Sequence, residues 1–222
     1  MKKQDSVSTW EVVTAITLLV CLAAAVTLMW KYRTPAYATV TEQKINTGKA
    51  RLKAPSVESE KELIDSMKDL KYVSAVQMVS VDFGANERYS TYFRSSLPVV
   101  QAAWDDYQSK KTRNPPLFSA DEQANQRLVN IINGKFTCER VEFTSIPKLV
   151  PGAVSVTDSL CSISIPPGYG EFVGFINFWV SRPLTQQDIE ELELRMKNVS
   201  LKMFQRDIIA IDPRGGVILQ PS

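Results

Sequence analysis

Cys138 and Cys161 are the residues of this chain whose type and placement most directly suggest covalent chemistry, and that chemistry is a disulfide. Both fall in strand-like segments. A pair of cysteines in an exported domain reads as a bridge, whereas in a cytosolic core it reads as two buried thiols. Spacing alone leaves both readings open, because it cannot place two Cα atoms within ~7 Å. The sequence has no histidine, which excludes Ser-His-Asp and Cys-His catalysis and every histidine-based metal site. It also lacks GxGxxG, GxxxxGK[ST] and CxxC. Asp105-Asp106 and Glu190-Glu191 are acidic pairs, but adjacent helical positions do not converge on one face. Lys110-Lys111 suits a helix C-terminus. Asn198-Val199-Ser200 matches a glycosylation sequon inside a helical stretch. We therefore expect no catalytic residue, no metal, no cofactor and no enzyme activity. With 26 basic against 24 acidic residues and a net charge of +2, no nucleic-acid partner is expected either.

The elements that would position these residues begin with an apolar run, Val12–Trp30, free of charge and proline. Roughly nineteen residues at 1.5 Å rise match the ~30 Å bilayer core, so the run reads as a transmembrane helix. Trp10, Trp30, Lys31 and Arg33 are its interfacial anchors. Lys2, Lys3 and an Ala36-Tyr37-Ala38 site also describe a cleaved signal, but the apolar run exceeds the usual signal length and Lys31 and Arg33 intervene. Thr17, Cys21 and Ala25 share a helix face, with Ala24 beside them and Thr14 one turn before; such small residues permit self-association in the bilayer. Charge counting leaves the orientation undecided.

The organisation read from the sequence is a tail over 1–11, the span over 12–30, a polar linker over 31–55, a soluble domain over 56–211 and a loose tail over 212–222. In the domain, Ser56 caps a helix to Leu70, Tyr72–Phe83 is a strand, and Gly84-Ala85-Asn86 turns it into a partner over Arg88–Arg94. A helix runs from Ser96-Leu97-Pro98 to Tyr107, and Ser119 with Glu122 boxes another that ends at Gly134. Strands follow over Phe136–Ser145, Val154–Pro166 and Glu171–Ser181. Thr185 and Asp188 box a last helix to Arg206, whose apolar stripe is Ile189, Leu192, Met196, Val199 and Met203. Phe172, Phe175, Phe178 and Trp179 read as core and sheet-face residues. The fold class is α+β: the N-terminal transmembrane helix, then a mixed or antiparallel sheet with helices on one face, PAS-like in outline.

This layout resembles the T-even-type (class III) bacteriophage holins, which have one transmembrane helix and a periplasmic domain. The likeness is closest over Ser159–Phe204, where Cys161 precedes a Pro/Gly connection, the strand Gly174–Val180, the turn Ser181-Arg182-Pro183 and an acidic-then-apolar helix. The resemblance implies a homo-oligomeric protein of the host bacterial inner membrane, N-in and C-out, that assembles lesions in the lipid bilayer to time lysis and release endolysin. It also implies a periplasmic antiholin as partner, and a disulfide to a cysteine of the final helix. That helix has none here, so Cys161 can pair with Cys138 or remain unpaired. The alternative reading is a bitopic envelope-complex or sensory subunit with an exported PAS- or Cache-like domain that binds a ligand or a partner.

Overall fold

The protein is described by a computed structural model over residues 10, 17–24, 27, 50–168, 172–211 and 217–218. Its contacts divide it into Met1–Gln43 and Lys44–Ser222. In the first unit, residues 17–24 and 27 are helical, Cys21 is an exposed free thiol, and the Thr27 hydroxyl donates to the Ala23 carbonyl at 2.7 Å. Thr17, Cys21 and Ala24 thus lie on a helix, whereas Thr14, Ala25, Trp30, Lys31 and Arg33 fall outside the described residues. Among the described residues no helix is long and apolar enough to cross a membrane. The expected span over Val12–Trp30 lies only in part within the described residues, and these do not by themselves support it.

In the second unit, Ser56 stands before helix α1 (Val57–Asp69), its Oγ accepting from the Ser59 amide, with Glu58 and Glu60 in the first turn where the helix dipole favours anions. Strand β2 (Val73–Asp82) turns at Asn86, the one described non-glycine residue at positive φ (53°), into β3 (Glu87–Ser95). Helix α2 (Pro98–Lys110) opens with a proline, whose missing N–H costs nothing in a first turn. Helix α3 (Glu122–Ile132) is capped by Asp121, which accepts from the Gln123 and Ala124 amides at 3.1 Å each. The expected cap, Ser119, sits two residues too early and instead accepts from the Asp121 amide.

Strand β4 (Thr137–Arg140) is much shorter than the predicted strand over Phe136–Ser145. The chain leaves the sheet through a 3-10 turn at Val141–Phe143, the short helix α4 (Ile146–Leu149) and a second 3-10 segment at Pro151–Val156. Pro147 and Pro151 explain the departure, because neither has an N–H for a ladder and both fit a first helical turn. Strands β5 (Ser159–Ile165) and β6 (Gly174–Val180) follow, and then α5 (Gln186–Arg206), which begins with the expected Thr185–Asp188 capping box. A small second sheet joins β1 (Ala50–Leu52), within the predicted linker, to β7 (Ile208–Ile211) and β8 (Val217–Ile218), the last within the predicted loose tail.

The main sheet is antiparallel throughout, in the order β3-β2-β6-β5-β4. Its helices do not lie on one face, as the sequence reading had them, but on both. One face carries Val76, Met78, Ile163, Ile176 and Phe178 against Leu63 and Met67 of α1 and Leu192 and Met196 of α5. The other carries Val79, Leu160, Phe175 and Trp179 beneath Trp104 of α2, Leu128 and Ile131 of α3, and Ile146 of α4. The physical reason is visible in β5 and β6, where every residue is buried; a strand with two apolar faces needs cover on both. Each large side chain so buried contributes about 1.5–3 kcal/mol.

Cys138 of β4 stands directly across from Cys161 of β5, and their sulfurs are bonded across a separation of 23 residues. Closing a loop of that length removes enough unfolded-chain entropy to stabilise the domain by about 3–3.5 kcal/mol. Cys138→Ser should lower the urea midpoint accordingly and make it insensitive to reductant. An unchanged midpoint would show that the two sulfurs do not staple β4 to the sheet.

A second expectation concerns the entry to α5. The guanidinium of Arg182 donates to both Asp188 carboxylate oxygens at 2.9 and 3.0 Å and lies 4.8 Å over the Tyr72 ring. The Arg182 hydrogen bond first, then those from the Thr185 backbone and hydroxyl, hold the Asp188 carboxyl far below the usual carboxylate range. A depressed folded-state value means that this stability is present above the unfolded aspartate pKa and is lost as pH falls through the folded one. Urea midpoints measured at neutral pH and in acid should therefore differ more for the native chain than for Asp188→Asn. Equal differences would assign the acid sensitivity to other carboxylates.

Candidate functional site

The three central strands carry Gln77 in β2, Asn177 in β6 and Ser162 in β5 near their middles. The registers place Gln77 opposite Asn177 and Asn177 opposite Ser162, so the three form one row across the sheet face covered by α2 and α3. Ser162 is fully buried and Asn177 nearly so. They are satisfied by a directed chain. Arg127 of α3 donates through Nη2 to Ser162 Oγ at 2.6 Å, Ser162 donates to Asn177 Oδ1 at 2.6 Å, and Asn177 Nδ2 donates to Gln77 Oε1 at 2.8 Å. A buried polar row survives in a core only when each member is bonded in this way.

Gln77 and Asn177 of this row, with Arg127 at the head of the chain, line a cavity of about 100 Å³. Its apolar walls include Val79, Leu128, Ile131 and Phe175. One end is aromatic: Trp104 meets Trp179 edge-on at 6.2 Å and stacks on Phe93 at 4.2 Å, in the geometries that aromatic quadrupoles favour. The rim includes Lys111 and the exposed Phe143.

The electrostatics of this cavity are lopsided. Two guanidiniums, Arg88 from β3 and Arg127 from α3, line it. Burial is the largest influence on both and pulls both below the usual arginine value, Arg127 to about 10. Arg127 is raised in part by Glu139 and lowered further by Arg88. Glu139 Oε2 lies 3.7 Å from Arg127 Nε, close enough for charge attraction but too far for a hydrogen bond. Arg127 Nε is accordingly a buried donor with no acceptor, and so is Nε1 of Trp179. Burial pushes the Glu139 carboxyl up, against the pull of Arg127. No carboxylate is ion-paired with Arg88 among the described residues; its electrostatic neighbours are the Tyr107 phenol and Arg127. Cations thus outnumber carboxylates at this half-buried space, with Arg88, Arg127 and Lys111 in its lining and Glu139 beside Arg127, and unmatched donors accompany them.

The residues singled out from sequence do not converge here. Cys138 and Cys161 lie in the β4–β5 pair and do not line the cavity. Asp105, Asp106, Glu190 and Glu191 are exposed, and among the described residues no cluster of acids and cysteines could hold a metal. Phe172, Phe175, Phe178 and Trp179 are buried as expected; only Phe175 and Trp179 reach the cavity. Sequence reasoning missed Arg88, Arg127, Gln77, Asn177 and Ser162.

No protein-family model and no curated protein matches the sequence. Solved structures do. The chain is similar to the GAF domain of a two-component sensor histidine kinase from Bacillus halodurans, at 10% identity and a TM-score of 0.44, covering 68% of this chain and 97% of that one. It is similar to the cyanobacteriochrome TePixJ GAF domain, at 10% identity and a TM-score of 0.45 over 66% of this chain and 86% of that one. It is also similar to a type II free methionine-R-sulfoxide reductase from Thermoplasma acidophilum, at 12% identity and a TM-score of 0.37 over 66% and 94%. The expectation of a phage lysis protein is corrected at this point. The similar sensor structures are GAF domains and not holins, and among the described residues no helix can span a membrane.

Proposed function

We propose that the Lys44–Ser222 unit is a sensory domain that binds a small molecule, and that it acts by binding without covalent turnover. The observation that carries this reading is the cavity between the sheet and α2–α3, where a bonded polar row, unmatched buried donors and an apolar wall meet. Pockets that bind small ligands combine a few fixed polar groups with apolar lining in this way. At about 100 Å³ the space suits a ligand of a few heavy atoms, below the roughly 300 Å³ at which drug-sized pockets begin. Nothing in the lining supplies a nucleophile poised beside a base, which favours binding over reaction.

The test is a backbone-amide NMR screen of the full chain against small carboxylates, amides, amines and alcohols. At least one class should shift the amides of Gln77, Asn177 and α3 together. Shifts confined to α1 and α5, or none from any class, would contradict the proposal.

A further inference from the structure

We infer that the ligand of this cavity is a small carboxylate with a short apolar tail, its carboxylate held by Arg88 and Arg127. This rests on the small-molecule reading above and names the class. Three observations converge on it. First, Arg88 and Arg127 reach the same cavity from different elements, β3 and α3, with Lys111 also in its lining and no carboxylate among the lining residues; Glu139, outside that lining, lies 3.7 Å from Arg127. A half-buried site with an excess of positive charge is completed by an anion. Second, among the residues that line the cavity the buried polar atoms left without partners, Arg127 Nε and Trp179 Nε1, are donors. A donor-only deficit calls for an acceptor-only ligand, and an ionised carboxylate is acceptor-only. The planar guanidinium also matches the two carboxylate oxygens as a fork. Third, the lining also includes the apolar side chains of Val79, Leu128, Ile131 and Phe175, so a bare inorganic oxyanion would leave them uncovered while a short alkyl chain would pack against them.

Glu139 has a defined part in this arrangement. It holds Arg127 from one side, and its own charge opposes an incoming anion. Removing that charge while keeping the shape should therefore strengthen binding, which a purely structural Arg127–Glu139 pair would not predict.

The experiment is calorimetric titration of the full chain with butanoate, its neutral isostere butanamide, and inorganic phosphate. Butanoate should bind, with butanamide and phosphate each weaker by about tenfold or more, as the loss of one charge-assisted contact implies. Arg88→Gln should weaken butanoate by a similar factor and leave butanamide unchanged. Glu139→Gln should tighten butanoate several-fold, and it keeps the test alive should the arginine variant fold poorly. Equal binding of butanoate and butanamide would overturn the anionic class while leaving the small-molecule reading intact. Phosphate binding as tightly as butanoate, with the same Arg88 dependence, would overturn the apolar tail. Failure of butanoate to bind overturns the inference, and joined to a silent amide screen it removes the small-molecule reading too.

Discussion

Arg127→Met should destabilise the domain by about 4 kcal/mol, whereas Arg88→Met should stabilise the ligand-free domain by about 2 kcal/mol. The two arginines line one cavity, yet the expected effects have opposite signs because their partners differ. Arg127 holds Ser162 through Nη2 and faces Glu139. Replacing it strands a half-buried carboxylate and removes the donor at the head of the Ser162–Asn177–Gln77 chain; breaking a buried pair from one side leaves the other charge uncompensated. Arg88 has no carboxylate ion pair among the described residues, and burial alone already pulls its charge down. Methionine keeps the apolar stem and deletes the uncompensated charge, so the native fold gains. In a thermal melt the gain amounts to about 3 °C per kcal/mol for a domain of this size. The lead of Arg88→Met should shrink when butanoate is added, because a ligand present at a hundred times its native dissociation constant adds about 2.7 kcal/mol to the native chain and only about 1.4 kcal/mol to one that binds it tenfold more weakly. An Arg88→Met variant less stable than the native chain without ligand would mean that Arg88 is a structural cation with a partner of its own.

Gly174→Ala should cost at least about 3 kcal/mol, out of scale for the addition of one methyl group. A Cβ at this position would lie 2.1 Å from the Val79 carbonyl oxygen, a backbone atom that no rotamer change can move aside. Gly174 starts β6 beside β2, opposite Ser80, so the strands would have to separate where Val79 and Phe175 line the cavity. Loss of stability and loss of ligand binding should therefore appear together. Ala at Gly134 offers a contrast of another kind. Gly134 ends α3 at φ 76°, and a Cβ there would lie 2.6 Å from the Cα of Gly168, so its cost should fall on the end of α3 and the β5–β6 connection. Urea unfolding of the two variants, each with and without butanoate, separates these effects. A Gly174→Ala chain of native stability would mean that β2 and β6 do not approach as closely as described.

Much of this architecture could be read from the chain, and the parts that could not have identifiable causes. The Thr185–Asp188 box and the stripe Leu192, Met196, Val199 and Met203 mark α5 because capping and helical periodicity are local signals. The β2–β3 hairpin was legible for the same reason. The second helical layer was less so, although β6 carries the clue: Phe175 and Trp179 on one face and Ile176, Phe178 and Val180 on the other are all large and apolar. That pattern is a strand covered on both sides. Strand ends failed where Pro147 and Pro151 turned extended sequence into helical turns.

The site was hidden for a deeper reason. Gln77, Ser162 and Asn177 are unremarkable singly, and only the strand registers bring them into a row. Arg127 did leave a trace: it lies four residues before Ile131 and next to Leu128, at the border of the buried stripe of α3. A cation at such a position is a candidate for burial. Arg88 left none, because the half-buried pattern of β3 gives it no distinction from its neighbours.

The most direct measurement is a set of intermolecular NOEs between butanoate and the methyl-labelled full chain. The ligand's methyl protons should show contacts to Val79, Leu128 and Ile131. Contacts to Leu63, Leu192 or Met196 on the opposite face of the sheet, or no intermolecular contacts at saturating butanoate, would contradict a ligand-binding cavity between the sheet and α2–α3.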